Sequence, residues 1–242
     1  MIAGRAAMVA IKESGIAMKP WMILYIACWL AFTSLLLFVP AGDWRWPAGW
    51  AFVAELAIGS FAVTLWLAAA DPGLLAERMK PPIQRDQKPW DRLFMLAAMI
   101  VFYGWIVLMA LDARRFGWSR MPVTLQVAGA VLVPLGFILV CRVFKENSFA
   151  APVIKIQESR GQSVISTGPY ALVRHPMYAS ALVYLVGMPL LLGSWWGLAA
   201  LPFLAAGLST RIVGEERALR EGLAGYADYA AKVRYRLIPF VW

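Results

Sequence analysis

The sequence holds one histidine, His175, and two cysteines, Cys28 and Cys141, in 242 residues. A lone imidazole excludes a multi-histidine metal centre. Cysteines placed inside apolar runs exclude a disulfide framework and a cysteine zinc site, so no metal is expected. Nucleotide signatures of soluble enzymes are missing as well: no strand is followed by GxGxxG, and neither a P-loop nor GxSxG occurs. There is no internal repeat and no low-complexity tract. Charge is sparse at 15% of residues, against about a quarter in soluble domains. Apolar residues take its place, at 61% of the chain with a mean hydropathy of +0.65. The composition is that of an integral membrane protein.

Apolar segments recur along the chain, and no polar interruption exceeds about thirty residues. A single integral membrane domain over 1–242 is therefore expected, with an all-α fold: a polytopic transmembrane helical bundle of about six spans. The spans are placed near 21–39, 48–70, 92–111, 122–144, 177–192 and 195–208. Pro20, Pro47, Pro89, Pro122 and Pro176 stand at or near the starts of most of them. A missing N–H costs nothing there, because first-turn donors are unpaired in any case. Only Gly193 and Ser194 separate the last two spans, which predicts a tight hairpin, tilted or partly shielded from lipid. Residues 1–20 carry Arg5, Lys12 and Lys19 without a small-residue cleavage site and read as a tail before an uncleaved first span.

The net charge of +9 marks topology rather than a nucleic-acid partner, because the basic residues sit at the ends of apolar segments instead of in one patch. Of the 23 Lys and Arg, 19 fall in the tail, in 71–92, in 142–174 and from Arg211 onward, leaving 4 in the alternate loops. Both termini and the large loops are thus expected in the cytoplasm. Trp44, Trp46 and Trp50, with Trp118, Trp195 and Trp196, read as an aromatic belt at the outer interface. Function is then sought in three segments. One is the loop DPGLLAERMKPPIQRDQKPWDR. The second is 145–174, where PVIKIQ and QSVIS flank ESRG and predict a short hairpin on the membrane surface. The third is the tail from Gly214, an amphipathic C-terminal helix broken near Gly222 and Gly225.

Within TGPYALVRHPMYAS, the proline after His175 steers it out of the α region, so the histidine is placed as an N-cap-like residue with Pro176 first in the helix. Free amides and the helix dipole, with Arg174 and His175 beside them, make a mouth suited to a carboxylate or phosphate. The alternative reading, a positive-inside arginine and a neutral capping histidine, stays open. Glu215 and Glu216 either hold a cationic ligand or form four-apart surface pairs with Arg211 and Arg220. Tyr226 and Tyr229, three apart, either pack on apolar surface or stack on a planar heterocycle. Glu55, inside the second apolar run, is a further candidate.

The compound pattern GPYALVRHPMYAS, an apolar hairpin, then EERALREGLAGYADYAAKVRYRLIPF resembles the isoprenylcysteine carboxyl methyltransferase family, which is related to the phospholipid N-methyltransferases. DPGLLAERM, Asn147 and Phe149 look like bacterial-type members, and Ser180 departs from the glycine common there. The resemblance implies a methyltransferase of a bacterial inner membrane using S-adenosylmethionine, with cofactor binding within about 145–242. By this resemblance Arg174, His175, Tyr178, Glu215 and Glu216 line the cofactor pocket, joined by Tyr226 and Tyr229, with Arg234 and Arg236 nearby. Expected partners are a lipophilic or lipid-linked acceptor and membrane lipids, with no nucleic acid. A carboxylate acceptor would act as its own nucleophile, oriented by Arg174 or Arg234. The alternatives are a phospholipid or amine N-methyltransferase, a nicotinamide-dependent membrane reductase, and a non-catalytic scaffold.

Overall fold

The computed structural model describes residues 20–242, so the expected tail with Arg5, Lys12 and Lys19 lies outside the described residues. Five helices are long and apolar enough to cross a bilayer: α1 (Pro20–Ala41), α2 (Pro47–Ala70), α4 (Pro89–Ala110), α5 (Val123–Glu146) and α7 (Trp195–Gly222). α6 (Pro176–Leu192) is apolar but shorter, at 17 residues. Two short helices, α3 (Pro72–Arg78) and α8 (Tyr226–Lys232), lie outside the spans. Proline opens α2, α3, α4 and α6 in the first turn, and Pro122 stands just ahead of α5. The turn between α6 and α7 is tight, as expected: Gly193 takes a φ of 82°, and the Ser194 hydroxyl accepts the Gly197 amide at 2.8 Å to cap α7.

α7 differs from its expected length. It runs unbroken for 28 residues to Gly222 rather than ending near 208. At 1.5 Å per residue that is about 42 Å, against a hydrocarbon core of about 30 Å. Its last two turns therefore project past the lipid and carry Glu215 and Glu216 on a rigid extension of the membrane helix. The break at Gly222 and Gly225 is where the sequence places it, with Gly225 at a φ of 81° ahead of α8.

The 145–174 segment forms no hairpin, and no strand occurs among the described residues. Its main chain is satisfied by side chains instead of a ladder. The Ile154 amide donates to the Asp91 carboxylate at 3.0 Å, and the Gln157 amide donates to Gln162 Oε1 at 2.7 Å. Val153 and Ile154 are both buried, so these neighbouring residues do not divide between two faces as strand alternation demands.

One end of the bundle gathers the α1–α2, α4–α5 and α6–α7 connections. A π-helical turn at Leu111–Arg115 ends α4 and buries Asp112, which accepts the hydroxyls of Ser119 and Ser194, each at 2.6 Å. Trp44, Trp50, Trp118, Trp195 and Trp196 at this end are exposed, as a belt requires. Trp46 is not part of it: its indole is buried and meets the Phe38 ring edge-on, which makes it a core residue. The opposite end carries α3, the 147–175 connection and the tail.

α5 and α6 approach most closely, because glycines line their contact. A Cβ on Gly129 would collide with the Leu191 amide and the Gly187 carbonyl, and one on Gly187 would sit 2.9 Å from the Val133 amide nitrogen. Gly129→Ala should therefore destabilise by about 1–3 kcal/mol and lower the thermal midpoint of the detergent-solubilised protein by several degrees. Gly104→Ala, whose added methyl meets nothing within 4 Å, should leave the midpoint in place. Equal midpoints for the two variants would contradict this packing.

Candidate functional site

The site is organised by Glu216, buried on the projecting end of α7. Its Oε1 accepts Arg174 Nε at 2.6 Å and faces His175 Nε2 at 3.3 Å, while Oε2 accepts Arg236 Nε at 3.1 Å. Arg174 is further committed through Nη1, which donates to the Val233 and Arg234 carbonyls at 2.7 and 2.9 Å. The amides of Arg174 and His175 donate to the Tyr235 and Arg236 carbonyls at 2.9 and 2.8 Å. The strap after α8 is thus stitched over the start of α6. His175 precedes Pro176 as expected, but its side chain makes no capping bond. With Pro176 lacking an N–H and the Tyr178 amide turned back on the His175 carbonyl, the Met177 amide is the one first-turn donor of α6 without an acceptor among the described residues, and the strap covers the two residues ahead of it.

The four-apart surface pairs are absent too. Arg211 is buried and its Nε donates to Asp91 Oδ1 at 2.9 Å, with Nη2 reaching the Pro152 carbonyl at 2.8 Å. Glu216 turns inward to the partners above. Glu215, one residue earlier and about 100° around the helix, points elsewhere: its Oε2 accepts the Tyr178 hydroxyl at 2.6 Å. Tyr178 in turn stacks on His175, with ring centroids 5.7 Å apart.

Beside this knot lies a cavity of about 820 Å³, its open mouth included. The start of α6, the end of α7, α8 and the 147–165 stretch enclose it. Of the residues marked in the sequence, Arg174, His175, Tyr178, Glu215, Tyr226 and Tyr229 line it; Glu216 and Arg234 do not. Arg234 is exposed and reaches the site only through its carbonyl. Tyr226 and Tyr229 pack against each other at 5.7 Å between centroids. Tyr229 donates to the Tyr170 carbonyl at 2.8 Å, whereas the buried Tyr226 hydroxyl has no partner among the described residues. Burial pushes the Tyr226 and Tyr170 hydroxyls well above the ordinary phenol range and Tyr229 up to about 12, so all three stay neutral.

Sequence reasoning gave no chemical role to several residues of this region. Asn147 donates to the Tyr170 hydroxyl at 2.7 Å and lines the cavity. Asp91, fully buried, ties Gln87, Ile154 and Arg211 together. Lys155 joins the first polar segment to the second through Glu77 and Asp86, at 2.9 Å each. Apart from Gln87 and Asp91, which are four residues apart, none of these contacts follows a helical spacing that a sequence would reveal. Glu55 does not line the cavity; it lies in an apolar groove between α2 and α5, with Oε2 buried and without a partner among the described residues.

Fold and site together define an integral membrane helical bundle with a polar pocket at one end. Residues 124–224 match the family model for phospholipid methyltransferases, a family related to the isoprenylcysteine methyltransferases. The matched stretch runs from α5 to just past α7; α8 and the strap lie beyond it. No curated protein matches the chain at a significant level.

The two glutamates should separate on mutation. Glu216→Gln leaves the buried Arg174 without its charge partner and is expected to cost about 3–5 kcal/mol, read as a large drop in thermal midpoint. Glu215→Gln keeps an acceptor for Tyr178 and should shift the midpoint by little. Equal losses would contradict the division between a structural and a ligand-facing carboxylate.

Proposed function

We propose that the protein is an S-adenosylmethionine-dependent methyltransferase that acts on a lipophilic or lipid-linked acceptor at the cytoplasmic face of a bacterial inner membrane, with both termini on that side. On this reading the chain is one methyltransferase domain whose cofactor part spans about 145–242. The observation that carries it is a tyrosine-lined pocket built mostly from the segment that matches a methyltransferase family and completed by α8 beyond it, with a Glu215 oxygen and the buried Tyr226 hydroxyl keeping spare bonding capacity.

The cofactor fits these residues. Glu215 has one oxygen fixed by Tyr178 and takes no bond on the other among the described residues, so it suits an ammonium. Tyr226 offers a neutral hydroxyl, and Tyr170 and Tyr229 with Leu219 and Leu223 offer aromatic and apolar surface to a heterocycle. When bound, the cofactor supplies an electrophilic methyl group on a sulfonium. The protein's part is alignment and exclusion of water, which needs no metal and, for a carboxylate acceptor, no general base. Of the two arginines expected to orient such an acceptor, Arg174 is in the pocket wall and Arg234 is outside it. An apolar groove between α4 and α7, lined by Phe94, Phe102, Phe203 and Leu204, ends at Arg211. Arg211 lies 5.8 Å from the Tyr178 ring, so a lipid tail in that groove would bring its head to the pocket.

The match to phospholipid methyltransferases favours a second acceptor reading, a lipid amine. That acceptor must lose a proton before or during transfer. A nicotinamide-dependent reductase and a non-catalytic scaffold are the remaining alternatives.

Titration of the detergent-solubilised chain with S-adenosylhomocysteine should give saturable binding and raise its thermal midpoint, by the equivalent of about 2.7 kcal/mol at a hundredfold excess over Kd. Stabilisation by a nicotinamide dinucleotide but not by the homocysteine nucleoside would replace this function with the reductase. No response to either would favour the scaffold.

A further inference from the structure

We propose that Arg78 is the anion-recognising residue of this pocket and takes a carboxylate, a role that rests on the methyltransferase reading above. Arg78 is the last residue of α3. Its Nη1 donates to the Ala150 carbonyl at 2.9 Å and contacts Met177 Sδ at 3.7 Å, and its guanidinium lies over the Phe144 ring at 4.4 Å. Ala150 and Met177 both line the cavity. The guanidinium therefore stands directly behind its wall.

Arg78 is withdrawn from water without a counter-charge, whereas Arg85, Arg217 and Arg220, which also lack one among the described residues, stay exposed. Arg114, Arg174, Arg211 and Arg236 each pair with a carboxylate, and Lys155 in the cavity wall pairs with two. Arg78 has no carboxylate partner among the described residues. An aromatic face, a carbonyl and a thioether are its surroundings, and burial among them pushes its pKa down to about 10. A guanidinium carries five N–H donors, and its protein hydrogen bonds all use Nη1. Withdrawing a cation from water without an opposite charge is unfavourable, so such groups are kept where an anion arrives from outside.

Among the described residues, the cations in the wall itself, Arg174 and Lys155, are already paired with carboxylates. The charge of Arg174 is spent on Glu216, and the strap carbonyls occupy the Arg174 and His175 amides just ahead of α6. Arg78 touches Met177 while Glu215 bonds Tyr178, the next residue of α6. A cation and a carboxylate with spare capacity thus flank one short stretch of wall, as an amino-acid group with its ammonium and carboxylate requires. The carboxylate belongs either to the methionyl part of the cofactor or to the acceptor.

The test uses the full chain with Arg78→Gln and Arg78→Lys, and three probes: S-adenosylhomocysteine, methylthioadenosine, which lacks the amino-acid part, and dodecanoate added to the nucleoside-saturated protein. Arg78→Gln should weaken S-adenosylhomocysteine by about tenfold to a hundredfold, the usual loss for one charge-assisted hydrogen bond. Methylthioadenosine should bind as it does to the parent, and Arg78→Lys should recover part of the loss. Unchanged S-adenosylhomocysteine affinity with loss of dodecanoate binding would assign the carboxylate to the acceptor and still support the role of Arg78. Parental affinity for all three probes would overturn the proposal and leave the methyltransferase reading intact. Should Arg78→Gln fail to fold, the apolar Arg78→Met takes its place: parental affinities in it, or equal weakening of both nucleosides, would count against carboxylate recognition. A parent chain that binds neither nucleoside would overturn both readings together.

Discussion

A carboxylate withdrawn from water at the end of a membrane helix is stable only where its charge is met, and Glu216 meets three partners at once. Arg174 and His175 approach from the start of α6, and Arg236 from the strap. The interaction sets the geometry of everything beside it. α7 has to continue as a helix beyond the lipid to deliver the carboxylate. α6 has to begin where Arg174 and His175 can reach it. The strap has to lie across that start so that its carbonyls take Nη1 of Arg174. Removing one partner would leave another charge buried and unmatched, which is why the knot behaves as one unit.

The pocket follows from this knot because adjacent residues on a helix face different ways. Glu216 is turned to the arginines, so Glu215 is turned to Tyr178 and the cavity. The same separation holds in the tail, where Tyr229 secures the 168–171 turn and Tyr226 keeps its hydroxyl free. Groups that hold the wall and groups with spare bonding capacity alternate along the chain. For a displacement whose rate depends on alignment, a fixed wall carrying a few uncommitted polar atoms is the arrangement needed.

Much of the fold was legible in the sequence, because apolar run length and proline position are local signals. The spans, the Gly193 turn and the break at Gly222 and Gly225 come from such signals. The reach of α7 did not, since the charges that begin at Arg211 read as the end of a span when they are the start of its projecting part. The 145–174 hairpin failed for a related reason: alternating residues resembled strands, but Asp91 and Gln162 satisfy the main chain there. In the site, the residue types were readable and their partners were not. Spacing of four suggested Arg211 with Glu215, while the true partner of Arg211 is 120 residues away. Arg78 looked like any other basic residue near a membrane; only in three dimensions does it prove to be withdrawn from water, against the Phe144 ring and behind the cavity wall, without a carboxylate partner among the described residues.

The central claim, that the tyrosine-lined pocket receives the cofactor, is tested most directly by hydrogen exchange of the full chain with and without S-adenosylhomocysteine. Amides of 147–165, of the start of α6 and of α8 should exchange more slowly in its presence, while the α1–α2 and α6–α7 connections at the other end stay unchanged. Protection confined to that other end or to the apolar groove between α2 and α5, or binding with no protection around the pocket, would contradict the account.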